Sequence, residues 1–222
     1  MIIPAAGAGN RLGGLSKPLV EVGGYPLISR ILNLFRELRG VKKICLAVPK
    51  IAINSFNEIL QSSESVELAE IVEGGEERSA SVRNAYMCLQ NYVNEDDLVC
   101  VHDAARPLLT KSDLDSVIAA GWKYGAAFLA SKVKDTLKLV DDKNFCVKTV
   151  DRSSIYGAQT PQVMLSKFLS QAYKDVSGLS NVTDEIMLME KISVKAFVVE
   201  PKNLNLKLTT PEDLELIRRL IS

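Results

Sequence analysis

The residues most able to do chemistry stand at the start of the chain, in PAAGAGNRLGGLSK at residues 4–17. Glycines let a ligand approach the backbone closely, and Arg11 and Lys17 add two cations on the far side of the loop. Neither familiar glycine motif fits. A dinucleotide fingerprint needs a third glycine where Leu12 stands, and a P-loop needs four residues between its glycines and then Gly-Lys-Ser/Thr. Here five residues separate Gly7 from Gly13, and Gly14 follows. What remains is a backbone cradle, Ala5, Ala6, Gly7, Ala8 and Gly9, followed by two cations. That combination suits a triphosphate, whose linked charges need neutralising at several points. A plain turn with two solvated charges is the bland alternative, and the entropic cost of ordering glycine weighs against it.

Three further segments carry polar groups where apolar runs end. In VEGGEERSASV, Gly74 and Gly75 can bring backbone N–H and C=O groups to a flat ligand edge, and Ser79 and Ser81 add hydroxyls; a turn capped by Ser79 is the structural alternative. In VCVHDAARPLLT, Asp103 can hold Mg²⁺ directly or through water, and Arg106 can take an anionic group of a second substrate. An Asp–Arg pair that steadies the loop explains the same residues. His102, the only histidine, reads as a packed strand end rather than a base. TVDRSSIYGAQTPQ and NLNLKLTTPEDL contribute Arg152, Lys207 and the hydroxyls of Thr149 and Thr160.

The elements that must position these residues follow from hydrophobic period. Strand-length apolar runs at Met1 to Ile3, Lys43 to Val48, Val66 to Val72, Leu98 to His102, Ala126 to Ser131 and Ser193 to Val199 alternate with helical segments. The helices are Leu27 to Leu38, Ser79 to Gln90, Ser112 to Tyr124, Ser166 to Asp175, Thr183 to Lys191 and Pro211 to Ile221, the last capped by Thr210. This is an α/β pattern: a mostly parallel sheet with helices on both faces. Loops after parallel strands share the carboxyl edge, so the polar segments should converge there.

Residues Val133 to Arg152 break the alternation. They are β-prone with a polar turn at Asp141 to Asn144, and read as a projecting hairpin. A lone hairpin is marginal in water, and a second copy of the chain is the simplest partner.

The 222 residues suit one domain, with residues 132–154 as an arm inserted in it. Lys plus Arg and Asp plus Glu each total 27, so no global field draws the chain to nucleic acid or membrane. Four scattered cysteines and one histidine argue against a zinc site. The N-terminus enters a strand directly, without a basic leader or long apolar stretch, which predicts a cytoplasmic protein.

Taken in order, PAAGAGNRLGG-x-x-K, EGGEERSASV, VHDAARP, TVDR, QTPQ, TDE and NLNLKLTTPEDL span nearly the whole chain. The set resembles the methylerythritol phosphate cytidylyltransferases of the non-mevalonate isoprenoid pathway. The resemblance implies a Rossmann-like nucleotidyltransferase core with a β-arm, a homodimer, and Mg²⁺-dependent joining of CTP to a sugar-alcohol phosphate with release of pyrophosphate. It assigns Arg11 and Lys17 to the triphosphate. It assigns Ala5, Ala6, Gly7, Ala8, Gly9, Gly75, Glu76 and Ser81 to CTP. Arg152 and Lys207 would position the attacking phosphate, and Asp103, Arg106, Thr136, Thr160 and Thr183 would lie on the substrate side. Thr136 and Arg152, on the arm, would serve the neighbouring subunit's site. The chain departs from the family pattern at Ser16-Lys17-Pro18, where Pro-Lys-Gln is usual.

Three rivals remain. Ribitol phosphate cytidylyltransferases share the layout but usually carry AGG where this chain has PAAG. A dehydrogenase would need the full glycine fingerprint and an acidic residue after the second strand, which instead ends CLAVPK. A non-catalytic nucleotide-binding protein has no need of five cations divided between two substrate positions.

Overall fold

The computed structural model describes residues 1–7, 17–62, 67–175 and 181–221. Its sheet is built outward from β1 (Ile2–Pro4), which pairs in parallel with β4 (Ile44–Val48) on one side and β6 (Leu98–Val101) on the other. Beyond β4 lies β5 (Ala69–Glu73), also parallel. On the other flank β10 (Tyr156–Leu165) runs antiparallel to both β6 and β7 (Ala126–Lys132), and β11 (Phe197–Val199) closes the edge parallel to β7. The seven strands therefore stand in the order β11-β7-β10-β6-β1-β4-β5.

Alternation along the strands builds a core on each face. Ile3, Ile44, Leu46 and Val48 pack with α1 (Leu27–Arg36), α2 (Ile53–Gln61) and α4 (Lys111–Tyr124). Ile2, Cys45 and Ala47 pack with α3 (Arg78–Leu89), α5 (Ser166–Asp175) and α6 (Glu185–Lys191). A third cluster joins the short hairpin β2 (Glu21–Val22) and β3 (Tyr25–Pro26) to α7 (Pro211–Ile221) through Val22, Leu27, Leu208 and Ile217. No helix of the described residues is long and apolar enough to cross a membrane.

The sequence reading missed β10, α2 and the β2–β3 hairpin. Pro161 and Gly157 argue against a central strand, and the structure accommodates Pro161 where the ladder breaks between Ala158 and Gln162. In α2 the residues Asn54, Ser55 and Asn57 dilute the helical signal, and only Phe56 and Leu60 are fully committed to the core. Helix α3 starts at Arg78, with Glu77 rather than Ser79 at its N-cap. The third strand starts at Ala69, and Val66 lies outside the described residues. As read from its composition, α7 begins at Pro211, and Thr210 Oγ1 accepts from the Asp213 N–H.

The arm forms its own two-stranded sheet, β8 (Leu137–Val140) and β9 (Cys146–Val150). Asp141 Oδ1 accepts from the N–H groups of Lys143 and Phe145, and Asn144 takes φ 65°, which builds the turn from the expected polar residues.

Candidate active site

Chain order creates the site. From β1 the chain steps outward through β4 and β5, then returns to place β6 on β1's other side, so a crevice opens at the carboxyl ends of these strands. A cleft of about 520 Å³ lies there, walled by Ala5, Ala6 and Gly7 after β1, Gly75 to Arg78 after β5, Asp103 to Ala105 after β6, and Lys17 and Lys207.

The glycine turns are set by close approach. A Cβ on Gly74 would lie 2.3 Å from the Ala6 Cβ, and one on Gly75 would lie 2.4 Å from the Ala80 Cβ. The Gly74 N–H donates to the Val48 carbonyl at 2.8 Å, tying the loop to β4. Ser81 Oγ accepts from the Gly75 N–H at 3.1 Å and faces the carbonyls of Glu77 and Gly75 at 3.1 and 3.3 Å. Its hydroxyl thus closes the turn that presents Gly75 and Glu76, rather than standing free.

Lys17 opens a short helical turn, Lys17–Leu19, in which Pro18 is buried. Its Nζ donates to the Leu208 carbonyl at 3.1 Å, which ties Lys17 to the segment that carries Lys207, and both lysines line the cleft although their positions in the chain are far apart. Arg11, Ala8 and Gly9 lie outside the described residues.

Asp103 is the electrostatic centre. Its Oδ1 accepts from Arg78 Nε at 2.9 Å and its Oδ2 from Lys207 Nζ at 2.7 Å, with Arg106 Nε 4.0 Å from Oδ2. Burial alone would raise the Asp103 carboxyl, but Arg78 and Lys207 outweigh it and hold the group well below the usual carboxylate range. Arg78 also spans to Glu185, its Nη1 and Nη2 donating to the two carboxylate oxygens at 2.9 Å each. Burial opposes the Arg78 charge, yet Glu185 and Asp103 outweigh it and raise its pKa. Burial raises the Glu185 carboxyl above its usual range although Arg78 pulls it down, and the two parallel N–H donors on its two oxygens give the pair the geometry of an Arg–carboxylate fork.

Behind this cluster the Asp103 N–H donates to Thr160 Oγ1 at 3.0 Å, and Thr160 Oγ1 meets His102 Nδ1 at 3.1 Å. His102 Nε2 lies 3.0 Å from the Arg106 carbonyl, which only accepts, so the ring carries its proton on Nε2 and receives the Thr160 hydroxyl at Nδ1. Burial lowers the His102 pKa to about 4. The histidine is a packed support, as its sequence position indicates, and Thr160 steadies the loop from behind. Arg106 Nη1 donates to the Asn205 carbonyl at 2.7 Å, and Asn205 Nδ2 donates to the Thr160 carbonyl at 2.7 Å, knitting the NLNLK segment to the Asp103 loop.

Besides Thr160, four of the predicted residues among those described do not line this cleft: Arg106, which with Lys207, Gln159 and Asn205 lines an adjoining hollow, and Thr183, Thr136 and Arg152. Thr183 is exposed, just before α6, with its hydroxyl against Met187 Sδ at 3.9 Å. Thr136 and Arg152 are exposed at the base of the arm, Arg152 Nη1 donating to the Lys134 carbonyl, and neither lines this cleft. Conversely, sequence reasoning passed over Arg78, Glu185 and Asn205. The charges in EERS and TDE were visible, but nothing local shows that Arg78 reaches a carboxylate 107 positions away.

A switch-point sheet with a glycine-walled cleft, cations from opposite ends of the chain and a carboxylate between them defines a nucleotidyltransferase of the Rossmann-like kind. The model of the 2-C-methyl-D-erythritol 4-phosphate cytidylyltransferase family matches residues 1–221, and the chain belongs to that family. It is 37% identical over 216 residues to the enzyme of that name from Bacillus mycoides, covering 96% of this chain and 93% of that one. It is 36% identical over 215 residues to the one from Geobacillus kaustophilus, covering 96% and 92%. Among solved structures, 4-diphosphocytidyl-2C-methyl-D-erythritol synthase from Anaerococcus prevotii superposes with a TM-score of 0.84 at 28% identity, covering 99% of this chain and 95% of that one. The 2-C-methyl-D-erythritol 4-phosphate cytidylyltransferase from Francisella tularensis gives 0.80 at 30%, covering 98% and 97%.

Proposed function

We infer that the protein transfers the cytidylyl group of CTP to methylerythritol phosphate, giving diphosphocytidyl-methylerythritol and pyrophosphate in isoprenoid precursor biosynthesis. Family membership carries the choice of substrates. The observation that carries the chemistry is the convergence of Lys17 and Lys207 beside Asp103 at one cleft. The attacking group is a phosphate monoester whose second pKa is about 6, so at neutral pH it is mostly a dianion and needs no general base. That agrees with a buried, neutral His102. The obstacle is repulsion between a dianion and a triphosphate, so catalysis consists of alignment and charge neutralisation. Lys17, together with Arg11, covers the α-phosphate and the departing pyrophosphate. Lys207 and Arg106 hold the attacker in line, and the backbone around Ala6 and Gly75 receives the nucleoside.

The donor set fits magnesium in one way. Both Asp103 oxygens already accept from cations, and no group of three or more His, Cys, Asp or Glu among the described residues could hold a metal. Mg²⁺ keeps several waters and needs only one or two carboxylates besides substrate phosphates, so an ion arriving on the triphosphate and meeting Asp103 through water suits the site. When bound it supplies charge neutralisation at the phosphate oxygens.

The working unit is a homodimer through the arm. Leu139, Val140, Phe145 and Val147 leave 46 to 69% of their surface exposed on β8, β9 and the turn, more than a free hairpin tolerates. Thr136 and Arg152 sit at the arm's base, away from their own cleft, and serve the partner's. The need for CTP and the four unpaired cysteines suit the cytoplasm. Mass spectrometry of the protein incubated with CTP, Mg²⁺ and methylerythritol phosphate should find the cytidine diphosphate ester of the sugar alcohol; unchanged CTP would refute the reading.

A further inference from the structure

We propose that Glu185 is a positioning residue for the transfer: through Arg78 it fixes the carboxylate of Asp103, and through Asp103 the ammonium of Lys207. Arg78 spends three N–H groups in one plane, Nε on Asp103 Oδ1 and both Nη on Glu185, which leaves Asp103 Oδ2 to Lys207 at 2.7 Å. Glu185 is itself held. Its backbone N–H donates to Gln162 Oε1 at 2.9 Å, and Gln162 Nε2 donates at 2.9 Å to Asp184, the residue capping α6. The rigid sheet thereby sets the end of the chain of charges.

Two penalties show that folding alone does not explain the arrangement. Arg78 is the first residue of α3, where a cation opposes the helix dipole. The Glu185 carboxylate is 1% exposed, and a buried ion pair contributes little stability over an apolar pair of similar shape. The function it serves is to neutralise Arg78 from behind. Without Glu185, both Nη groups lose their acceptors and Arg78 turns its fork onto both Asp103 oxygens, which releases Lys207. Lys207 retains 41% side-chain exposure and lines both the cleft and the adjoining hollow it shares with Arg106, the other cation assigned to the attacker, so the damage falls on the attacking phosphate rather than on CTP.

The inference rests on the cytidylyl-transfer reading, and steady-state kinetics with CTP, Mg²⁺ and methylerythritol phosphate separate the two. Glu185→Gln and Arg78→Lys should each raise the KM for the sugar phosphate on the order of ten-fold while the KM for CTP changes less than about two-fold. Arg78→Lys keeps the charge but cannot span both carboxylates, and it carries the test if Glu185→Gln does not fold. Added to Lys207→Ala, Glu185→Gln should change the sugar-phosphate kcat/KM by less than about two-fold, because its effect passes through the missing ammonium. Equal rises in both KM values, no rise in either, or effects that multiply in the double variant would overturn the relay. A wild-type protein without activity would instead overturn the transfer reading.

Discussion

At the scale of the residue, Lys17 carries the strongest claim, because Pro18 is buried beside it and its ammonium is fixed against the Leu208 carbonyl at the cleft. Lys17→Ala should lower kcat about 10² to 10³-fold, as loss of other oxyanion stabilisers does, with little change in the KM for the sugar phosphate. Near-normal turnover would remove Lys17 from the mechanism. His102 offers a test of the supporting network. Its folded pKa is lowered from 6.5 to about 4, so below 6.5 the unfolded chain takes up a proton that the fold refuses. Stability should therefore fall as pH drops through this window, by roughly 3 kcal/mol in all, and the fall should be smaller in His102→Gln when urea midpoints are compared across it. An unchanged pH dependence in the variant would contradict the buried neutral ring. Asp103 was legible in the sequence because a polar residue ending an apolar strand stands out, and Lys17 because it follows a glycine loop; Lys207, a single lysine in NLNLKL, carried little local signal. The bridge from Asp103 through Arg78 to Glu185 was not legible, since a pairing across 107 positions leaves no local pattern.

At the scale of the element, the turn after β5 is the most constrained piece of the site. Gly74→Ala forces a Cβ to within 2.3 Å of the Ala6 Cβ, whereas an added Cβ on Gly7 meets none of the described residues within 4 Å. Gly74→Ala should destabilise the protein by about 1 to 3 kcal/mol, the usual cost of overpacking, and lower Tm by several degrees. Gly7→Ala should leave Tm nearly unchanged. Equal thermal shifts would mean that the two loops are less closely set than described. Elements with a clean period, such as α1 with Ile28, Ile31, Leu32 and Phe35 on its buried side, were readable from sequence. Strand β10 was not, because its proline masks a segment whose pairing is decided by β6 and β7 on either side. Local propensity loses there to tertiary context.

At the scale of the whole molecule, the α/β plan followed from alternating strands and helices, but the antiparallel insertion of β10 between β6 and β7 did not. The arm was visible as a β-prone segment without a neighbouring helix. If Arg152 serves the partner's cleft, mixing inactive Lys17→Ala and Arg152→Ala proteins should restore about a quarter of the wild-type rate, because half of randomly paired dimers hold one intact site. No recovery after exchange of subunits would contradict the shared site. Cytidylyl transfer to methylerythritol phosphate is measured most directly as the rate of pyrophosphate release from CTP and Mg²⁺ with methylerythritol phosphate and, in parallel, with ribitol phosphate. Release that depends on methylerythritol phosphate and is slow or absent with ribitol phosphate is the predicted result; release with ribitol phosphate alone, or with neither acceptor, would contradict it.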